Sequence, residues 1–248
     1  MVTFDEVFAL AVEIGESSDF LPQAGDDLEA IYARLVNKRE WIQAYQSAAA
    51  PLFSALSAEG IRIRRMADIR FLDIPEAIPV LIRWLPRVTQ EDLKRDIIST
   101  LGDRRYFPQS KQALIDEFYR IDPKDDPGDN SVRFLISNVL ARNAKAADIE
   151  LMMTLAEDPR NGSARTSPIQ ALGRYKAKRA LTVPLLMVLL DDDRDYVWAY
   201  AAVALGLLRV SEARDKIAER LKAEDHPDWI IDLKKALKRI DEAASKEV

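Results

Sequence analysis

The 248-residue sequence contains no cysteine, a single histidine and only eight glycines. Without cysteine the chain has no disulfide, no thiolate metal ligand and no thiol nucleophile. One histidine, His226, is too few for a two-histidine zinc site, and its place in a predicted interhelix loop gives no support to a hydrolytic triad. Few glycines leave few of the turns that a β-rich fold needs, so the composition predicts helices.

Acidic residues outnumber basic ones, with 41 Asp and Glu against 36 Lys and Arg and a formal charge of -5. This charge disfavours nucleic acid as a partner unless basic groups gather on one face. The longest apolar stretch, residues 181–190, contains Thr182 and Pro184 and is far shorter than the ~20 residues of a membrane span. The N-terminus lacks the basic region of a signal peptide. We therefore expect a soluble cytoplasmic protein with no membrane partner.

Nucleotide-binding glycine motifs are absent as well. The sequence has neither Gly-x-Gly-x-x-Gly nor Gly-x-x-x-x-Gly-Lys, so we predict no cofactor, no metal and no catalytic residue. Pairs of carboxylates for general acid–base chemistry stay open, because the many acidic residues offer many pairings. Whether the chain is an enzyme is thus left open, and a non-catalytic protein is favoured.

A repeated segment is the most informative pattern that is present. Apolar helical segments end in a leucine that is usually followed by glycine or alanine, and these leucines are Leu101, Leu140, Leu172, Leu205 and Leu237. The steps between them are 39, 32, 33 and 32 residues, and Ile69 marks a weaker sixth copy. Such a period is typical of helical repeat proteins.

A second set of amphipathic segments lies between these leucine-containing segments. Their apolar residues recur at helical spacing, and they cover residues 77–85, 112–119, 149–155, 183–190 and 213–221. The repeating unit is therefore predicted to be a helical hairpin. Pro168 falls inside one predicted second helix, where a proline would remove a backbone hydrogen bond and bend the helix.

One copy resembles a known family. Residues 183–206, VPLLMVLLDDDRDYVWAYAAVALG, are similar to the HEAT-like repeat of phycobilisome (bilin) lyases, and weaker copies extend from about residue 60 to 241. The resemblance implies an all-α fold, a right-handed α-solenoid (an alpha-alpha superhelix, armadillo-like) of about five to six HEAT-like hairpins over residues 61–248. Residues 1–60 would form an N-terminal helical cap. The repeat carries no catalytic motif.

Equivalent positions of the second helices predict a binding surface. We call the residues seven positions before each repeat leucine, or before Ile69, the ladder: Arg62, Lys94, Arg133, Arg165, Trp198 and Ile230. Its four basic residues either pair with carboxylates of adjacent repeats or form a cationic groove for an acidic partner. Trp198 with Tyr200 predicts either an aromatic hot spot or packing between repeats. Trp229 is predicted to belong to the core.

The irregular step of 39 residues places an insertion at residues 121–130. Insertions in repeat proteins often lie on the binding edge, and this one carries Asp122, Asp125, Asp126 and Asp129. Their spacing does not match an EF-hand calcium loop. We therefore predict a solvated acidic loop that is a candidate binding edge.

The favoured function is a protein-binding scaffold or adaptor that uses the concave face of the solenoid, including an inhibitor or immunity-type protein. The partner would be another protein of unknown identity. The alternatives are a bilin lyase-like chaperone and, with less support, a HEAT-like alkylpurine DNA glycosylase. A glycosylase would bind duplex DNA with a steep salt dependence, whereas an adaptor would bind one protein stoichiometrically.

Overall fold

The computed structural model describes residues 2–16, 23, 25–126 and 131–245. Over these ranges the regular structure consists of thirteen α-helices with short 3-10 segments, and it contains no strand. This confirms the predicted all-α class. None of the helices in the described part of the chain is both long and apolar enough to cross a membrane.

The chain divides into two compact units, one ending at Asp96 and the other beginning at Ile97. The helices of the first unit are α1 (Phe4–Glu13), α2 (Leu28–Ala58), α3 (Ala67–Phe71), α4 (Ala77–Trp84) and the first half of α5 (Glu91–Leu101). Helix α1 packs on α2 through a small core that contains Val7, Leu10 and Leu35. The predicted cap, residues 1–60, contains α1 and α2, and its boundary at residue 60 stays a prediction.

The second unit continues with eight helices in its described residues. They are α6 (Phe107–Arg120), α7 (Val132–Asn143), α8 (Ile149–Glu157), α9 (Thr166–Leu172), α10 (Arg179–Leu189), α11 (Asp195–Leu208), α12 (Arg214–Ala223) and α13 (Pro227–Ala244). Each even-numbered helix contacts the odd-numbered helix that follows it. The odd-numbered helices, which carry the repeat leucines, also contact one another in order: α7 with α9, α9 with α11, and α11 with α13.

The pair of leucine and small residue that marks the repeat has a packing explanation. Leu172 and Leu205 are fully buried, whereas the glycines after them lie against the next odd-numbered helix. A Cβ on Gly173 would lie 2.7 Å from the Cα of Ala204, and one on Gly206 would lie 2.6 Å from the Cα of Ala236. The absence of a Cβ therefore lets successive helices approach until their backbones are in contact.

Two details of the sequence-based prediction are wrong, the position of Arg62 and the bend at Pro168. Residues 61–66 form no α-helix and α3 begins only at Ala67, so Arg62 does not occupy a position on a second helix. Pro168 does not bend a helix interior either, because α9 begins at Thr166. Its missing N–H is one of those that the first helical turn leaves unpaired in any case. The backbone departs from helical geometry earlier, at Gly162, where φ is 53°.

Ser131 provides a first testable prediction about local stability. It is the N-cap of α7, and its hydroxyl accepts a hydrogen bond of 3.0 Å from the N–H of Phe134. Changing Ser131 to alanine should therefore lower the free energy of unfolding by about 1 kcal/mol, measured by urea denaturation. The control Ser211→Ala, at an exposed serine that caps no helix, should change it by less than about 0.5 kcal/mol. Equal losses in both variants would contradict the assigned role.

Candidate functional site

Three ladder residues of the second unit are buried, and the fourth, Ile230, is half-buried. Arg133 is 4% exposed, Arg165 2% and Trp198 3%. In the first unit Lys94 is buried as well, at 7% exposure, while Arg62 is exposed. The buried basic residues Lys94, Arg133 and Arg165 therefore do not form the exposed basic stripe that a cationic groove requires. The spacing from the repeat leucine alone did not indicate this burial.

Arg165 holds two segments of the second unit together. Its Nε donates to the carbonyl of Ala156 at 2.7 Å, and its Nη1 donates to Oδ2 of Asp192 at 2.8 Å. Burial raises the pKa of Asp192, but the backbone N–H of Arg194 and the Arg165 guanidinium outweigh it, so the pKa lies below its usual value. Asp192 lies between α10 and α11. The contact therefore pairs a ladder arginine with a carboxylate of an adjacent repeat, which is one of the two interpretations of the ladder given above.

Arg133 occupies the same position one repeat earlier but has a poorer set of partners. Its Nη2 donates to Oδ1 of Asn161 at 2.6 Å, and its guanidinium carbon lies 4.3 Å from the centroid of the Phe118 ring. The Nε is buried and has no hydrogen-bond partner among the described residues. Burial lowers the pKa of Arg133 despite the nearby carboxylates, Asp126 foremost, which raise it.

The two aromatic residues of the predicted hot spot are engaged in packing. The guanidinium carbon of Arg220 lies 5.0 Å from the centroid of the Trp198 ring. Tyr200 is half-buried and meets Trp229 edge to face at 5.2 Å. Burial and the charge of Asp232 raise the pKa of Tyr200. Trp198 is therefore not accessible to a partner, and Tyr200 contributes mainly to the contact between α11 and α13.

The predicted acidic loop is described in part. Asp122 and Asp125 are exposed, and the carboxylate of Asp122 accepts a hydrogen bond from the N–H of Lys124 at 2.9 Å. Asp126 caps α7, because its carboxylate accepts hydrogen bonds from the N–H groups of Val132 at 3.2 Å and Arg133 at 2.7 Å. Asp129 lies outside the described residues.

An open groove runs across three odd-numbered helices on a different face from the ladder. Its volume is about 440 Å³. We call it the leucine-flanking groove, because six of the residues that line it lie two positions before or two positions after a repeat leucine: Asn138, Arg142, Gln170, Arg174, Val203 and Leu207. The ladder lies five residues from the first of these positions, which is about 1.4 helical turns or ~140° around the helix. That rotation separates the buried ladder from the open groove.

Two arginines of the groove also stabilise the ends of neighbouring helices. Arg142 Nη2 donates to the carbonyl of Gly102 at 3.3 Å, and Arg174 Nη2 donates to the carbonyl of Ala141. Each arginine thus satisfies a carbonyl at the end of the preceding leucine-containing segment, where the helix dipole favours a positive charge. An arginine recurs two residues after Leu140 and two residues after Leu172. This recurrence is a sequence signal for the groove, and the spacing that defines the ladder does not include it.

A second and larger cavity brings together two predicted features. It has a volume of about 620 Å³, and its described lining comes from residues 122–124, 126, 131, 133, 159–163 and 194. Arg133 from the ladder lines it together with Asp122 and Asp126 from the acidic loop. Arg165 and Trp198 do not line this cavity.

Comparisons with known proteins assign no family. No protein-family model matches the sequence, and no curated protein is significantly similar to it. The resemblance of residues 183–206 to phycobilisome lyase repeats therefore stays a prediction. The argument about function rests on two cavities of the second unit, the leucine-flanking groove and the cavity beside Arg133.

Proposed function

We propose that this chain is a non-catalytic protein-binding scaffold or adaptor of the HEAT-like solenoid type, and that a partner protein lies in the leucine-flanking groove. The observation that supports the proposal is the repetition of groove positions over α7, α9 and α11. Equivalent residues on successive helices present side chains at a regular spacing, as repeat proteins do on their binding faces. The ordered contacts between the odd-numbered helices are consistent with this arrangement.

The chemistry of the groove suits a polypeptide ligand. Asn138 and Gln170 carry amides that both donate and accept hydrogen bonds, so they can pair with the peptide groups of an extended segment. Arg142 and Arg174 add positive charge, which favours acidic side chains on that segment. Leu207 supplies apolar surface at the end towards α11. The groove therefore replaces the ladder as the proposed binding surface, with an acidic partner as in the sequence-based hypothesis.

The alternative functions receive less support. A glycosylase function depended on a basic, aromatic-bearing face, but Trp198 is buried and Arg165 is paired with Asp192. An enzyme that flips a base needs accessible aromatic or apolar side chains around the flipped base. No observation in the described residues specifically favours a bilin lyase. The scaffold, which includes an inhibitor or immunity-type protein, is thus the function that we put forward.

Site-specific photo-cross-linking in the producing cell tests the groove. A photoreactive amino acid at exposed Gln170 should give one discrete covalent adduct with a partner protein, detected by electrophoresis and mass spectrometry. The matched control carries the same residue at Glu150, which is also exposed but lies on α8 outside the groove, and should give no such adduct.

A blocking variant makes the result specific. Ser167 lies in the groove, so a Ser167→Arg change in the photoreactive protein should reduce the adduct by at least about tenfold, once circular dichroism has shown an intact helical fold. An adduct that is equally strong at positions 170 and 150, or that persists undiminished in the blocked protein, would count against the groove.

A further inference from the structure

The guanidinium of Arg133 is buried with few hydrogen bonds. A guanidinium has about five N–H donors, and Asn161 Oδ1 is its one hydrogen-bond acceptor among the described residues. The guanidinium carbon lies over the Phe118 ring, and the Nε has no hydrogen-bond partner among the described residues. A buried charge normally has an opposite charge or several hydrogen bonds to compensate for the loss of water.

At the equivalent position one repeat later, a carboxylate compensates for the burial of the arginine charge. Arg165 meets a carboxylate, Asp192, that lies 27 residues after it, whereas Arg133 meets a neutral amide, Asn161, that lies 28 residues after it. The two acceptors belong to equivalent segments, between α8 and α9 and between α10 and α11. At Arg133, therefore, an amide replaces the internal carboxylate and the cavity of about 620 Å³ lies beside it.

The carboxylates near Arg133 are engaged elsewhere. Asp126 accepts hydrogen bonds from the N–H groups at the start of α7. Asp158 is held by Arg160, whose Nη2 lies 2.8 Å from Oδ2. Asp122 accepts from the N–H of Lys124. None of the three accepts a hydrogen bond from the Arg133 guanidinium, although all three lower the electrostatic cost of its burial.

The lining of the cavity favours an anion. Among the described residues that line it, basic side chains outnumber acidic ones: Lys124, Arg133, Arg160 and Arg194 against Asp122 and Asp126. Ser131 and Ser163 also line it and carry hydroxyl groups that can donate hydrogen bonds. Ser131 uses its oxygen to accept from Phe134, which leaves its proton free to donate. A positively charged cavity with hydroxyl donors and a buried arginine at its wall is thus part of the second unit.

We propose that this cavity is a carboxylate-binding site, in which a ligand carboxylate pairs with Arg133 as Asp192 pairs with Arg165. The planar guanidinium matches the two oxygens of a carboxylate and favours this anion. The carboxylate belongs either to a free small dicarboxylic acid or to an acidic side chain of a peptide. The site is separate from the leucine-flanking groove, so it stands whether or not the groove binds a partner.

The test uses three probes on the full chain: succinate, a hexaglutamate peptide and inorganic phosphate. Binding is followed by NMR through the Arg133 Nε–H resonance and the backbone amides of Ser131 and Asn161. Succinate or hexaglutamate should cause saturable shifts with a dissociation constant of about 1 mM or below. Saturation by succinate alone indicates a small-molecule ligand, while binding of hexaglutamate at least about tenfold tighter indicates a peptide.

The variant Asn161→Asp supplies the missing carboxylate from within the chain. It should fold, because it copies the Arg165–Asp192 pair, and it should weaken binding of the carboxylate probes by at least about tenfold. The control Gln109→Glu makes the same change from amide to acid at an exposed residue of α6 that lines neither cavity, and it should leave probe binding unchanged.

Three outcomes overturn the proposal. The first is an Arg133 resonance that does not respond to either carboxylate probe at about 10 mM, far above the expected dissociation constant. The second is equal weakening in Asn161→Asp and Gln109→Glu, which would indicate a general charge effect. The third is binding of phosphate without binding of either carboxylate.

Discussion

Replacing Arg165 by methionine is expected to lower the free energy of unfolding by about 4 kcal/mol. The side chain is 2% exposed, and its removal leaves the partly buried carboxylate of Asp192 without its cation and the carbonyl of Ala156 without its donor. Breaking a buried pair on one side costs more than the pair contributes, because the remaining charge stays desolvated. Urea denaturation followed by the fluorescence of Trp198 and Trp229, both in the second unit, measures the loss.

A double variant separates the pair from its packing. Arg165→Met combined with Asp192→Leu removes both charges and should recover about half of the loss or more. If the single variant loses less than about 1 kcal/mol, the pair does not have the assigned role.

The contribution of the Arg165–Asp192 pair to stability should also depend on pH. The pKa of Asp192 in the folded protein lies below its usual value. Its contribution to stability is therefore complete above the usual aspartate pKa of about 4 and is lost as the pH falls through the lower, folded-state pKa. The difference between the wild type and Arg165→Met should accordingly shrink at acid pH. A difference that stays constant or grows on acidification would contradict this assignment.

Changing Gly206 to alanine is expected to lower the free energy of unfolding by about 3 kcal/mol. The added Cβ would lie 2.6 Å from both the Cα and the Cβ of Ala236, so α11 and α13 would have to separate. Separation would also disturb the edge contact between Tyr200 and Trp229. Thermal or urea unfolding of the purified variant gives the value directly, and near-ultraviolet circular dichroism reports the disturbed aromatic contact.

A comparison with Gly102 shows whether backbone contact is the cause. A Cβ on Gly102 would meet the side chain of Val139, with Cγ1 at 2.6 Å, so Val139→Ala should rescue much of the loss in Gly102→Ala. The corresponding rescue of Gly206→Ala by Ala236→Gly should remain small, since the Cα of residue 236 still obstructs the new methyl group. Full rescue in both pairs, or a loss below about 0.5 kcal/mol for Gly206→Ala, would contradict the explanation.

The sequence was informative where a physical requirement recurs at a fixed spacing. Leu140, Leu172 and Leu205 are buried because each packs in the interior of the second unit, so the period of apolar residues predicted the helices and their order. The N-cap Ser131 was predictable because capping depends on residues only three positions apart. These features need only local or periodic information.

The candidate site depended on information that the spacing does not contain. A ladder of equivalent residues is the same whether it faces inward or outward, so Arg133 and Arg165 could not be distinguished from exposed arginines. The buried face becomes known only when the contact of Arg165 with Asp192 is seen. The cavity beside Arg133 depends in addition on the irregular segment Pro159–Arg165, whose path turns at Gly162. No periodic signal specifies such a turn.

The glycine contacts have a consequence for how the groove can change during evolution. Gly173 and Gly206 set the distance from α9 to α11 and from α11 to α13 by main-chain contact, so this distance does not depend on the groove side chains. Substitutions at Gln170 or Val203 can alter which groups a ligand meets while the pitch between successive rows stays constant. Ligand specificity can then change through the groove side chains while the spacing between the helices stays fixed. Every ligand of the groove must match that spacing.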